Sequence, residues 1–264
     1  MTEVQTEAGP SAGREVVTSV LRALSLLDCF ERGRPELTLP ELVRRGGYSK
    51  TTTYRLLVTL EEAGWLDRSA AGAFRLTMKP FRLGSILIDS LDLRREATPV
   101  MVRLAADCDE SAYLVVPAGT HAVCLERVDA ANVVRIADLT VGGSQPLHLG
   151  AGPRAVLAFN EQELLPGLIR EGLSVRTERS ISTLAGLVAD LVETRRRGYS
   201  ISDEDVTPNV AAIGAPIFDA GGRAVAALSI GGFKQRILPP HQVHLHCLAQ
   251  ACREISARLG HGES

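Results

Sequence analysis

The stretch RRGGYSKTTTYRLLVTLEEAGWL, Arg44 to Leu66, holds Arg44, Arg45, Lys50 and Arg55 with no carboxylate between Leu42 and Leu60. Cations gathered without counter-charges suit an anionic partner, because phosphate oxygens accept charge-assisted hydrogen bonds from guanidinium and ammonium groups. Ser49, Thr51, Thr52 and Tyr54 lie among them and add hydroxyl and aromatic groups that reach phosphates and base edges. A second candidate is QPLHLGAGPRAVLA, Gln145 to Ala158, in which Gly150, Ala151 and Gly152 leave room for a ligand to approach the backbone. Pro153 suits the first turn of a helix, whose free N–H groups favour an anion such as a carboxylate. The same glycines would equally serve only to let the chain turn.

Both candidates need elements to hold them. Val17, Val20, Leu21, Leu24, Leu27 and Phe30 recur at spacings of three and four, which predicts an amphipathic helix ended by ERGRP. LTLPELVRRGG predicts a short helix with Thr38 as its N-cap, Pro40 in its first turn and Gly46-Gly47 at its end. Ser49 can then cap a third helix reaching about Ala63, and short helix, glycine turn and helix make a helix-turn-helix. Two β-prone runs, Trp65 to Arg68 and Phe74 to Leu76, flank SAAGA as a hairpin, the wing of a winged helix.

With Lys50 at zero on a helical wheel, Thr53, Leu56, Leu57, Leu60 and Ala63 fall between about 220° and 340° and form a buried stripe. Thr51, Tyr54, Arg55 and Val58 lie opposite. That face suits the major groove of duplex DNA, with Arg55 placed for guanine, Thr51 for a thymine methyl or hydroxyl contact, and Tyr54 for a phosphate. The dipole of the helix start favours a phosphate near Ser49. A solvated surface helix whose cations only confer solubility is the plainer alternative.

Length and composition frame these elements. A chain of 264 residues exceeds the usual single domain, so two domains are expected. Net charge is −2: residues 1–80 hold 11 Lys/Arg against 10 Asp/Glu, leaving 18 against 21, so global charge does not advertise nucleic-acid binding. No apolar run reaches the roughly 18 residues of a membrane span, and the first residues lack a signal-peptide core, which predicts a cytoplasmic protein. Five cysteines without a CxxC pair suggest neither a disulfide framework nor a zinc knuckle.

Residues 1–13 read as a disordered tail, 14–78 as the winged helix-turn-helix, 79–97 as a linker-helix region with its helix near 79–91, and 98–260 as a second domain. In the last, helix Val100–Cys108 precedes strands Ala112–Val116, Ala122–Arg127 and Val133–Ala137. A short helix after the glycines, helices near 161–171 and 182–197, a hairpin of AIGAPIFD with RAVAALSIGG, and a helix Pro240–Leu259 follow. The fold class is α+β.

Five blocks in order, VVTSVLRALSLLDCF, YSKTTTYRLLVTLEEAGWL, QPLHLGAGPRAVLA, RRRGYSISDEDV and VAAIGAPIFDAGGRAVAALSIGG, resemble the IclR family of bacterial transcriptional regulators across residues 14–260. The resemblance implies a GAF-like effector-binding domain, operator binding by homodimers or dimers of dimers, and control by organic acids or aromatic catabolites. The reading of the residues gives Arg44, Ser49, Lys50, Thr51, Thr52, Tyr54 and Arg55 to DNA, and the resemblance lines the effector pocket with Gln145, Gly150, Ala151, Gly152, Ser202, Val210, Ala212, Ser229 and Gly231. The chain departs from the family pattern where Ser202 replaces a common Asp, Ala212 a Cys, Gly231 a Ser, and Pro153-Arg154 a Gly-Lys pair. Those smaller, less polar groups imply a larger and partly apolar ligand.

Other signals are set aside. His241, His244 and Cys247 share a helical strip without an evident second-shell carboxylate, so no metal is expected. Ser144 and His148 lack a nucleophile elbow and an acid partner, His148 being read as structural, and GAGPR lacks the context of a nucleotide fingerprint. SDEDV reads as a solvated acidic turn. The resulting expectation is a repressor without cofactors and without catalytic activity. Its rivals are a metabolite-transforming enzyme with a vestigial N-terminal domain and a protein-interaction module.

Overall fold

The computed structural model describes residues 16–31, 34–89, 92–130 and 139–262. The tail 1–13 and the strand expected at Val133–Ala137 lie outside the described residues. The chain divides at Ser90 and Leu91 into two compact units.

The first unit runs α1 (Thr18–Leu27), β1 (Glu36–Leu37), α2 (Leu39–Gly46), α3 (Lys50–Glu62), β2 (Leu66–Arg68), β3 (Phe74–Leu76) and α4 (Lys79–Asp89). Leu26, Leu37, Leu42, Leu57, Leu60, Leu66 and Phe74 close its core. Thr38 opens α2 as expected, its N–H and hydroxyl both donating to the Glu41 carboxylate, at 2.8 and 2.7 Å. Gly47 ends it at φ 72°, a left-handed conformation that a Cβ disfavours. The Ser49 hydroxyl then accepts the Thr52 N–H at 3.3 Å and starts α3. β2 and β3 form the expected wing, with Asp67 opposite Arg75. β1 completes a three-stranded sheet on the other edge of β3, and two residues are too few for alternation to betray a strand.

The second unit begins with α5 (Asp92–Cys108), β4 (Ser111–Ala118), β5 (His121–Val128), β6 (Ser144–Pro146), α6 (Ala151–Phe159) and α7 (Glu161–Glu171). It ends with α8 (Leu184–Arg197), β7 (Ser200–Asp203), β8 (Val210–Phe218), β9 (Ala224–Phe233), α9 (Lys234–Ile237) and α10 (Gln242–Arg258). The helix expected from Val100 starts eight residues earlier, at Asp92, and carries Pro99 inside it. Proline's missing N–H would normally end a helix there. Burial of Leu93, Ala97, Val100, Met101 and Leu104 along one stripe outweighs the lost bond.

Six antiparallel strands in the order β6-β5-β4-β9-β8-β7 form one sheet. α5 and α10 cover one face through Leu104, Leu114, Ile213, Leu228 and Ile255, while α6 and α8 cover the other through Val115, Val156, Leu187 and Ala227. Strand register then assembles the second candidate site. Ser202, Ala212 and Gly231 stand in one row across β7, β8 and β9, and Gly214, Ser229 and Tyr113 stand in the next. The start of α6 lies on this row so closely that a Cβ at Gly214 would sit 2.7 Å from the Ala151 carbonyl carbon and 2.8 Å from the Gly152 nitrogen. These are backbone atoms and cannot swing aside. Gly214→Ala is therefore expected to destabilise the chain by about 1–3 kcal/mol, measured by urea denaturation.

Candidate functional site

The first candidate surface is the outward face of α3. Lys50, Thr51, Tyr54, Arg55 and Val58 are exposed, while Thr53, Leu57 and Leu60 are buried, so the wheel separates the two sides correctly except at Ala63, which caps the helix in solvent. Arg44 at the end of α2 is exposed as well. None of Arg44, Lys50 and Arg55 makes an ion pair among the described residues, though Arg44 stands near enough to Glu41 to help the Thr38 hydrogen bonds lower its carboxyl pKa. Arg45 differs: its guanidinium donates to the Cys29 carbonyl at 2.8 Å and pairs with Glu31 at 3.1 Å, which removes it from the cationic cluster. The Ser49 hydroxyl also donates to Thr52 Oγ1 at 2.9 Å, so these two hydroxyls serve the helix cap. From the wing, Arg68 lies 5.7 Å from the centre of the Tyr54 ring and pairs with Glu61 at 3.0 Å, which fixes β2 beside α3.

The second is a cavity of about 80 Å3 at the start of α6. Gln145, Gly150, Ala151, Gly152, Ser202, Val210, Ala212, Ser229 and Gly231 all line it, and Tyr113, Leu139, Pro153, Val206, Thr207 and Ala211 complete the wall. Small residues stand at 212 and 231, yet the cavity is narrow there. A Cβ at Gly231 would lie 3.3 Å from the Ala212 Cβ and 3.7 Å from the Tyr113 ring, so close strand packing and that ring have taken up the volume. The cavity falls well below the roughly 300–1,000 Å3 of sites for drug-sized ligands, and the expectation of an enlarged pocket is corrected accordingly.

Behind its wall lies a charged group that sequence reasoning placed in water. Asp205, in the acidic SDEDV turn, is buried, and its carboxylate takes hydrogen bonds from the Arg154 guanidinium, the Ser202 hydroxyl and, at 2.9 Å, the Gly150 N–H. Arg154 is equally buried, donates to the His148 and Ile201 carbonyls, and places Nε 3.0 Å from Asp190. Burial pushes the Asp205 carboxyl up, but Arg154, Ser202 and Gly150 together hold it below its ordinary value. The Gly150 amide that seemed free for an incoming anion thus already has one. Glu204 at φ 59° and Asn209 at φ 61° shape the loop that turns Asp205 inward. Its partner Arg154 lies 51 residues away in sequence, and nothing local in DEDV marks one carboxylate as buried.

His148 is wholly buried and bonds the Ser174 carbonyl through Nε2 at 2.9 Å, with burial lowering its pKa first of all causes. His241 and His244 meet edge to face at 5.4 Å. No group of three or more His, Cys, Asp or Glu among the described residues is arranged to hold a metal.

A winged helix-turn-helix with unopposed cations on its second helix, followed by an α/β unit enclosing a small cavity, is the plan of a ligand-responsive DNA-binding regulator. The chain belongs to the IclR family of bacterial transcriptional regulators: residues 19–70 match the IclR helix-turn-helix domain, and residues 86–257 match the family described as bacterial transcriptional regulator IclR C-terminal. It is 32% identical over 246 residues to the HTH-type transcriptional regulator KipR of Bacillus subtilis, covering 92% of this chain and 97% of that protein. It is 27% identical over 256 residues to the transcriptional repressor IclR of Escherichia coli, covering 95% and 92%. The crystal structure of an IclR transcriptional regulator from Alicyclobacillus acidocaldarius superposes with a TM-score of 0.77 at 26% identity, covering 93% of this chain and all of that one (100%). The chain is accordingly a DNA-binding transcriptional regulator with a C-terminal effector-binding domain, from a family whose members regulate transcription and are not enzymes.

Two outcomes follow from the buried pair. Arg154→Met strands the Asp205 carboxylate and is expected to cost about 3–5 kcal/mol in urea denaturation. Because the folded Asp205 pKa lies below its unfolded value, the pair's contribution is complete above about pH 4 and is lost as pH falls through the folded pKa. Asp205→Asn should therefore be less stable than the parent at neutral pH and lose less on acidification, read from stability curves between about pH 2 and 6.

Proposed function

We propose that this regulator represses transcription by holding operator DNA as a homodimer or dimer of dimers, and that a small organic acid or aromatic catabolite in the α6 cavity tunes that binding. The observation that carries the reading is the α3 face, where Lys50, Thr51, Tyr54 and Arg55 stand exposed and neither they nor Arg44 make an ion pair among the described residues. Thr51 and Arg55 contact base edges, Lys50, Arg44 and the Ser49 and Thr52 end of the helix contact phosphates, and Tyr54 is steered toward the backbone by Arg68.

Dimerisation is favoured by apolar surface that the first unit leaves in water. Val17, Val20, Leu21 and Leu24 on and before α1 are exposed, as are Phe81 and Leu83 on α4. Such clusters on a small unit suit a second copy, and two reading heads supply the base-pair count that one lacks. The effector reading rests on nine residues converging on one cavity, where Ser229 and the amides of Ala151 and Gly152 offer polar contacts and Val210 and Ala212 apolar ones. Its size favours a compact molecule.

Operator binding measured against salt tests the proposal. Affinity should fall linearly on logarithmic axes with a slope of about −0.9 per neutralised phosphate, and Lys50→Ala should make that slope shallower by about one. Arg55→Ala should cost about 1–3 kcal/mol and relax discrimination at one base pair. Unchanged affinity in a Lys50, Thr51 and Arg55 triple alanine variant with an intact fold would remove α3 as the reading helix.

A further inference from the structure

On the opposite face of the sheet from the small cavity, α10, β8 and the end of α8 enclose a second one of about 600 Å3. Its walls are apolar where Phe218, Leu245 and Cys252 line it, and Tyr199 stands at the side. Two guanidinium groups, Arg197 and Arg253, reach it, and no Asp or Glu among the described residues lines it. Volume and lining alike are those of a site for a ligand of ten or more non-hydrogen atoms.

Neither arginine is held in an ion pair among the described residues, although Arg197 helps Arg196 to lower the Glu193 carboxyl pKa. α8 ends in three consecutive arginines, of which Arg195 pairs with Glu161 and Arg196 with Glu193. Arg197 makes no ion pair among the described residues: it donates Nε to the Tyr199 carbonyl and lies 5.0 Å from the centre of the Tyr199 ring. Its Nη2 is buried with no hydrogen-bond acceptor. That nitrogen is closed off from solvent, so it is the rest of the Arg197 guanidinium, and not Nη2, that lines the cavity. Arg253 on α10 likewise makes no ion pair among the described residues. Cys252, in the wall between them, is buried, which pushes its thiol up to about 12. By contrast, the open groove of about 800 Å3 beside α7 carries Arg195 and Arg223 already paired with Glu161 and Glu163, and asks for nothing.

We propose that this second cavity binds an amphipathic organic carboxylate, its anionic head on Arg197 and Arg253 and its aromatic or aliphatic body against Phe218 and Leu245. The site is separate from the α6 cavity and does not depend on the effector reading given above. Arg197 offers the head group its charge and the guanidinium edge left by the Nε bond to the Tyr199 carbonyl, held in place by stacking on the Tyr199 ring.

Naphthalene-2-carboxylate and its uncharged carboxamide serve as probes, titrated calorimetrically into the full-length chain. The acid should bind at least about tenfold more tightly than the amide, since a hydrogen-bonded charge is the discriminating contact. Arg197→Gln should abolish most of that preference, Arg197→Lys should retain part of it, and Ala249→Trp, which fills the cavity from an accessible position on α10, should prevent binding of both probes. Circular dichroism and operator binding report whether each variant is folded. Absence of acid binding to the parent chain at millimolar concentration, equal affinity for acid and amide, or binding unaffected by both Arg197→Gln and Ala249→Trp would each overturn the proposal.

Discussion

The buried ion pair of Arg154 and Asp205 is the constraint on which the C-terminal unit depends. One guanidinium ties three chain segments together: the start of α6 through the His148 carbonyl, the end of β7 through Ile201, and the following loop through Asp205. The carboxylate returns the connection to Gly150 and Ser202, so the small cavity is framed by groups whose positions are set by a single electrostatic contact. Desolvating two charges is unfavourable by itself, and the geometry is sustained by the hydrogen bonds to both, although Arg154 Nε and Asp190 Oδ2, 3.0 Å apart, make none. The Ser180 hydroxyl adds to this by donating to the Asp205 backbone carbonyl at 2.7 Å, which brings the segment before α8 into the same assembly.

The N-terminal unit is governed by different physics. Its elements are short, and their ends are specified by local chemistry: a carboxylate reaching back to Thr38, a left-handed Gly47, a serine cap at Ser49. With the ends set, the leucine stripe of α3 faces inward and its cations face outward without further instruction. Local rules of this kind are legible in sequence, which is why the helix-turn-helix, the wing and the outward face of α3 were all foreseeable from the run Thr38 to Leu76. Arg45 shows where that legibility stops. Its charge belongs to the same run as Arg44, but the packing of α2 against the end of α1 turns it onto the Cys29 carbonyl.

The second unit was readable at the level of its longer elements, and the residues that ring its small cavity were named by the family resemblance, only the Gly150 to Gly152 turn being marked by its own residue types. Four things were not readable. Pro99 looked like a boundary, but tertiary burial of the surrounding helix prevailed over proline's local effect. The burial of Asp205 depends on an arginine on another element, and pairing between distant positions leaves no trace in a single sequence. The size of the cavity depends on how far neighbouring strands close over missing side chains, so smaller residues at 212 and 231 did not translate into more space. β6 and β7, three and four residues long, carry too little alternation to announce themselves.

β8 contributes to both cavities, with Val210, Ala211 and Ala212 at one end bordering the smaller and Ala215, Pro216 and Phe218 at the other bordering the larger. A β-strand is stiff along its length, and a displacement that accommodates a guest at one end is transmitted along the pleat to the other. Whatever free energy one occupant gains or loses from the presence of the other must be returned in equal measure. A shared wall of this sort would make the strand a thermodynamic link between the two proposed guests, without either having to touch the other.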